Sequence, residues 1–134
     1  MSFFLITGSI ICIIGDLIRK TAMFTAGKSF NHLIQYSPSN SHVLVTKGIY
    51  RICRHPSYLG WFLWCLGTQI LLCNPVCFVG YLITSWRFFN QRIMEEEYHL
   101  IKFFGSSYIE YKYQVASGLP LISGYPIDPD FKLE

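Results

Sequence analysis

No lysine or arginine occurs in residues 1–18 or 55–86, and from Ser57 to Trp86 thirty consecutive residues carry no charge of either sign. Charged residues make up only 14% of the chain, against 51% hydrophobic and 17% aromatic. A surface that poor in charge does not stay monomeric in water, so a soluble domain is excluded and a membrane protein is expected. The five cysteines (Cys12, Cys53, Cys65, Cys73, Cys77) show no C-x-x-C spacing, and four of them sit inside apolar runs. They read as small hydrophobes in a reducing compartment. No basic residue precedes "FFLITGSIICIIG" and no A-x-A-like site follows it, so a signal peptide fits poorly.

Other absences narrow the chemistry. "AGKS" at 26–29 ends like a phosphate-binding loop, but Ala22 stands where the first glycine belongs and no strand precedes it. There is no G-x-G-x-x-G after a strand, hence no dinucleotide site. His32, His42, His55 and His99 lack H-x-x-x-H or H-E-x-x-H spacing, which disfavours a metal. No serine or cysteine has the setting of a nucleophile, no internal repeat or low-complexity tract is present, and no nucleic-acid partner is expected.

What is present reads as an all-α integral membrane protein forming a single domain over 1–134. Residues 3–23 are predicted as one transmembrane helix, because sixteen residues would reach only about 24 Å and an extension through Met23 supplies the length. Residues 24–56, punctuated by Gly, Pro, Ser and Asn, read as a loop too long to be a plain connector. Pro75 disfavours helix at Asn74 and can open a new one, so residues 57–90 are predicted to form a helical hairpin turning at "CNP". The returning helix should run on, without a breaker, to Gly105 as its C-cap. A short amphipathic helix opened by Ser106 or Ser107 should follow, then an irregular tail from Ser117, so that residues 91–134 form a helix and tail outside the bilayer. Both basic segments, 19–54 and 87–132, then face one side, and their Lys/Arg excess marks that side as cytosol.

Two constellations could carry chemistry. Arg54 and His55 lie just outside a helix opened by Pro56, whose N-terminus is already partly positive. Adjacent cations there require an anion, which the pattern leaves as either a ligand or lipid phosphate. Arg92 and Glu96 are four positions apart and share a helix face, either as a surface ion pair or, at membrane depth, as part of a site.

The segments "LIRKTAMFTAGKSFNH", "HVLVTKGIY", "RHPSYLGWFLWCLGTQILLCNP", "WRFFNQR", "EEEYHLIKFFG" and "GLPLISGY" follow one another. In that order, from about Leu17 to Tyr125, the chain resembles the isoprenylcysteine carboxyl methyltransferase family. R-H-P-x-Y by itself is shared with bacterial and phospholipid-methylating relatives. The resemblance implies methyl transfer from S-adenosylmethionine to the C-terminal carboxylate of prenylated cysteine, with small GTPase-like CaaX proteins as substrates. It also implies a multi-pass protein of the endoplasmic reticulum membrane with its catalytic side cytosolic. The family's cofactor contacts fall on Gln35, on His42, Val43, Leu44 and Val45, on Tyr50, on His55, Pro56, Ser57 and Tyr58, and on Glu96. Arg92 falls on the catalytic, substrate-binding position.

The donors at the start of the Pro56 helix suit the carboxylate of S-adenosylmethionine, Glu96 suits its ammonium or a hydroxyl, and Tyr50 or Tyr58 suits its base or sulfonium. A substrate carboxylate ionises with a pKa of about 3.3–3.7, so no general base is needed. Family members carry several more membrane helices ahead of this region, so the chain is expected to be the C-terminal catalytic part. Two rival readings are amine methylation of a phospholipid, and a silent form that binds cofactor or a full-length partner without turnover.

Overall fold

The computed structural model describes residues 2–27 and 44–127. Four α-helices account for most of them: α1 (Ser2–Ala26), α2 (Pro56–Leu71), α3 (Pro75–Phe104) and α4 (Ser106–Gln114), with one 3-10 turn at Gly48–Arg51. No strand occurs among the described residues. The all-α expectation holds.

Helix α1 has two stripes with opposite tasks. Gly8, Gly15 and Ala22, seven residues apart, are buried. Phe3, Ile6, Ile10, Ile13 and Leu17, on the opposite side, are exposed. Its 25 residues reach about 37 Å, enough to cross a hydrocarbon core of about 30 Å. Among the described residues it is the one helix long and apolar enough to do so by length and composition. The exposed apolar stripe is what lipid would cover.

The buried stripe meets its counterpart on α2. A Cβ added to Gly15 would lie 2.6 Å from the Gly60 carbonyl oxygen, and one added to Gly67 would lie 3.0 Å from that of Gly8. The two backbones therefore touch, with α1 and α2 antiparallel. In lipid, where apolar side chains gain nothing by leaving the solvent, such close approach of small residues is what associates helices. Arg19 closes one end of this seam, donating from Nη1 to Ser57 Oγ at 3.1 Å while its guanidinium lies 4.9 Å from the Trp61 ring centre.

The hairpin turns where Pro75 predicts. Cys73 takes a left-handed φ of 52°, Asn74 is extended, and its side chain accepts a hydrogen bond from the Cys77 N–H at 3.1 Å ahead of Pro75. Helix α3 then runs unbroken to Gly105, whose φ of 59° ends it. The opening of α4 differs from expectation. Gly105 is also its N-cap and no side chain caps it, so neither Ser106 nor Ser107 plays that part. With one glycine turning the chain, Ser106 is already the first helical residue.

The buried residues of α3 are Ser85, Phe89, Ile93, Glu97 and Ile101, each four after the last. At 3.6 residues per turn such a row drifts about 40° per step, so its partners change along the helix. Phe89 and Ile93 pack with Phe62 of α2 and with Leu119 and Ile122 of the C-terminal segment. Ile101 packs with Tyr108 and Tyr111 of α4, against which Leu44 and Tyr50 lean. The segment after α4 is irregular, as expected, but Ser117, Leu119 and Ile122 are buried. The Arg54 and His55 N–H groups donate to the Ala116 and Ser117 carbonyls at 2.8 and 3.1 Å, and Trp86 Nε1 donates to the Pro120 carbonyl at 2.8 Å. This segment is thus a layer of the core laid over the start of α2.

Candidate functional site

The R-H-P start does find an anion, and it is internal. Glu97 is completely buried, and five groups donate to its carboxylate. Arg54 Nη1 at 2.5 Å, His55 Nε2 at 2.9 Å and Tyr108 Oη at 3.0 Å reach Oε1. Lys112 Nζ at 2.8 Å and the Tyr125 N–H at 2.7 Å reach Oε2. Gly124, at φ +90°, gives the Tyr125 N–H its approach, because a Cβ at Gly124 would collide with the Glu97 carboxylate. The sequence expectation that Arg54 and His55 await a ligand or lipid phosphate is corrected in this respect. Arg54 faces neither, being buried and also donating to the Ser123 carbonyl at 2.8 Å.

Burial alone would raise the Glu97 carboxyl, but the hydrogen bond from His55 and the charges of His55 and Arg54 overcome it and pull the group down to about 2. Lys112 is lowered by its own burial, and its contact with Glu97 acts in the other direction. A carboxyl lower in the folded than in the unfolded state stabilises fully above its unfolded value near 4.5, and this is lost as pH falls toward about 2. The loss amounts to about 3 kcal/mol. Tryptophan fluorescence in detergent micelles is expected to report loosening of residues 116–125 between pH 4.5 and 2, through Trp86 at Pro120. A flat signal across that interval would remove Glu97 as the cause.

The ion pairs leave a residual positive charge. Arg54 and Lys112 supply two cations against the one carboxylate of Glu97. Arg54 Nε is buried with no hydrogen-bond partner among the described residues. His55, the N-cap of α2, makes no side-chain hydrogen bond to the first turn, so it does not satisfy the N–H groups of Ser57 and Tyr58. The Ser57 and Tyr58 N–H groups are the donors that an anionic ligand head would find.

One turn along, Tyr58 joins two side chains singled out in the sequence. Its hydroxyl donates to Glu96 Oε2 at 2.6 Å and accepts from Arg92 Nε at 3.1 Å. The Tyr58 ring stacks on His55 with centres 5.8 Å apart and packs on Phe89 at 5.7 Å. The Arg92 guanidinium lies 5.9 Å from the Tyr58 ring centre and 5.8 Å from that of Phe88. Arg92 and Glu96, four positions apart on their helix, are therefore joined through the Tyr58 hydroxyl.

The other expected positions divide. Gln35, His42 and Val43 lie outside the described residues. Leu44 and Val45 are half-buried, with Leu44 against the Ile101, Tyr108 and Tyr111 cluster. The Tyr50 carbonyl accepts from the Tyr111 hydroxyl at 2.5 Å, and burial, with the nearby Glu96 charge, pushes the Tyr50 phenol up to about 12. Pro56 is fully buried as the first residue of α2. Ser57 is tied by Arg19 to α1. Sequence reasoning missed Glu97, Tyr108, Lys112 and Tyr125. Only the four-residue spacing from Phe89 through Ile93 to Ile101 marks Glu97, rather than Glu95 or Glu96, as the inward-facing member of "EEE".

A sequence model of the isoprenylcysteine carboxyl methyltransferase family matches residues 8–102. The chain is 56% identical to protein-S-isoprenylcysteine O-methyltransferase of Xenopus laevis and 54% identical to that of Homo sapiens, over 92% of this chain and 43% of each relative. It is 53% identical to protein-S-isoprenylcysteine O-methyltransferase A of Arabidopsis thaliana, over 87% of this chain and 59% of that one. A solved structure of a eukaryotic intramembrane Ras methyltransferase, an isoprenylcysteine carboxyl methyltransferase, superimposes with a TM-score of 0.91 at 51% identity. It covers 92% of this chain and 44% of the other. The chain thus spans less than half the length of the two vertebrate relatives and of that solved chain.

Proposed function

Since this chain belongs to the isoprenylcysteine carboxyl methyltransferase family, we propose that it binds S-adenosylmethionine and carries its methyl group to the C-terminal carboxylate of prenylated cysteine. The observation that supports the reading is the Tyr58 hydroxyl, bonded at once to Arg92, on the expected substrate position, and to Glu96, on an expected cofactor position. One side chain so joined to both fixes their separation. When bound, S-adenosylmethionine supplies an electrophilic methyl group on a sulfonium.

The chain's own residues do the rest. The Ser57 and Tyr58 N–H groups, backed by the net positive charge of the Arg54–Lys112–Glu97 cluster, hold the cofactor carboxylate. Glu96 accepts from Tyr58 on one oxygen and offers the other to an ammonium or hydroxyl. The faces of Tyr58 and Tyr50 suit the sulfonium or the base. Gln35, His42, Val43, Leu44 and Val45 complete the proposed cofactor wall. Arg92 binds the substrate carboxylate, already ionised, and aligns it for in-line attack, so positioning in a water-poor site supplies the acceleration.

The accompanying proposal is a multi-pass protein of the endoplasmic reticulum membrane, with α1, α2 and the first half of α3 as its spans, the site on the cytosolic side, and prenylated CaaX proteins as partners. The test is purified chain in detergent with labelled S-adenosylmethionine and N-acetyl-farnesylcysteine, scored for base-labile methanol. Release of methanol supports the reading. Label in phosphatidylethanolamine instead would make this a phospholipid amine methyltransferase, and S-adenosylhomocysteine binding without turnover would make it a cofactor-binding remnant.

A further inference from the structure

Glu97 matches none of the proposed substrate or cofactor positions, yet it collects more donors than any other side chain in the described structure. Its partners come from three separate parts of the chain: Arg54 and His55 at the start of α2, Tyr108 and Lys112 on α4, and Tyr125 in the C-terminal segment. Two of these, Arg54 and His55, are also held through their backbone N–H groups by Ala116 and Ser117. The start of α2 is therefore fastened twice to the same layer, once through the backbone and once through Glu97.

The bond to His55 carries further information. An ionised carboxylate only accepts, so the ring nitrogen facing Glu97 Oε1, Nε2, must be the one bearing hydrogen. That hydrogen bond fixes which edge of the His55 ring faces Glu97 and turns Nδ1 to the other side. The ring is further held by stacking on Tyr58, 5.8 Å between centres, and Tyr58 is the residue that joins Arg92 to Glu96. Glu97 is thus connected to the proposed methyl-transfer site through His55, besides its hold on the C-terminal segment.

We propose that Glu97 is a positioning residue of the methyl-donor site: it fixes the ring of His55 and clamps residues 117–125 over the start of α2, so that Tyr58 and the first-turn N–H groups stand ready for the cofactor. The inference rests on the methyl-donor reading above. It distinguishes adjacent glutamates by role, Glu96 touching the cofactor and Glu97 acting only through His55 and the C-terminal segment.

The experiment measures S-adenosylhomocysteine affinity by calorimetry on the detergent-purified full chain, beside the melting temperature of each protein. Glu97→Gln keeps the shape and removes the charge, and it is expected to raise Kd about tenfold, the loss of one charge-assisted hydrogen bond. In a His55→Ala background the same substitution is expected to change Kd far less, because the group it positions is gone. If Glu97→Gln aggregates, Glu97→Asp, which keeps the charge but withdraws the carboxylate by one methylene, gives the same comparison with a smaller rise. A lowered melting temperature with Kd unchanged, or an equal rise in Kd with and without His55, would reduce Glu97 to a structural residue and overturn the inference. Absence of binding by the unsubstituted chain would overturn the methyl-donor reading and the inference together, whereas normal binding there with equal Kd in the variants overturns the inference alone.

Discussion

Replacing Arg92 by lysine is expected to lower kcat/KM for a prenylcysteine substrate by about a hundredfold, with cofactor affinity little changed. The side chain has two tasks at once. Its Nε donates to the Tyr58 hydroxyl at 3.1 Å, which fixes the guanidinium relative to Glu96, and the fork beyond Nε is the part that meets a carboxylate. Lysine keeps the charge but gathers its donors on one terminal nitrogen, so it can satisfy Tyr58 or the substrate carboxylate and not both in the required geometry. A displacement of about 1 Å in such a site is enough for the predicted loss. Steady-state kinetics with N-acetyl-farnesylcysteine, beside a binding isotherm for S-adenosylhomocysteine, separate the two effects. Equal kcat/KM in the two proteins would remove Arg92 from the reaction.

The largest structural effect is expected at Gly60. A methyl group there would lie 2.5 Å from the Gly15 carbonyl oxygen, 2.7 Å from the Arg19 nitrogen and 3.0 Å from the Arg19 Cβ. The first two of these atoms are backbone, so no side-chain rotation relieves the contact and α1 must move off α2. Overpacking of ordinary cores costs about 1–3 kcal/mol, and Gly60→Ala belongs at or beyond the upper end because helices rather than side chains must separate. The separation would also draw Arg19 from Ser57, disturbing the first turn of α2 that bears the site. Gly80 is the control, since a Cβ added there meets nothing within 4 Å. Gly80→Ala is expected to change stability by less than about 0.5 kcal/mol. Thermal denaturation of both variants in one detergent decides the matter, and equal melting temperatures would show that the α1–α2 seam does not depend on glycine.

The helices were largely legible because their signals are local. Pro75 after Asn74 marks the hairpin and Gly105 the end of α3 within a few residues of the feature itself, and charge-free runs identify a lipid-facing chain. Local rules failed where two signals competed. Ser106 and Ser107 are good caps by type, but Gly105 with its positive φ had already turned the chain into α4.

The sequence by itself determined a membrane-embedded all-α chain, a cation-rich helix start at Pro56, and the placing of Arg92 and Glu96 on one helical face. Tertiary structure alone decided which anion the cations meet. Arg54 and Glu97 are 43 positions apart, and their pairing requires the hairpin to return and α4 to fold back with the C-terminal segment. The pattern "RHP" states that positive charge needs compensation, a requirement of electrostatics that any nearby anion can meet. Which anion is near is set by packing: the four-residue row from Phe89 through Ile93 turns Glu97 inward to Arg54 and His55, and the same turn leaves Glu96 at the Tyr58 hydroxyl.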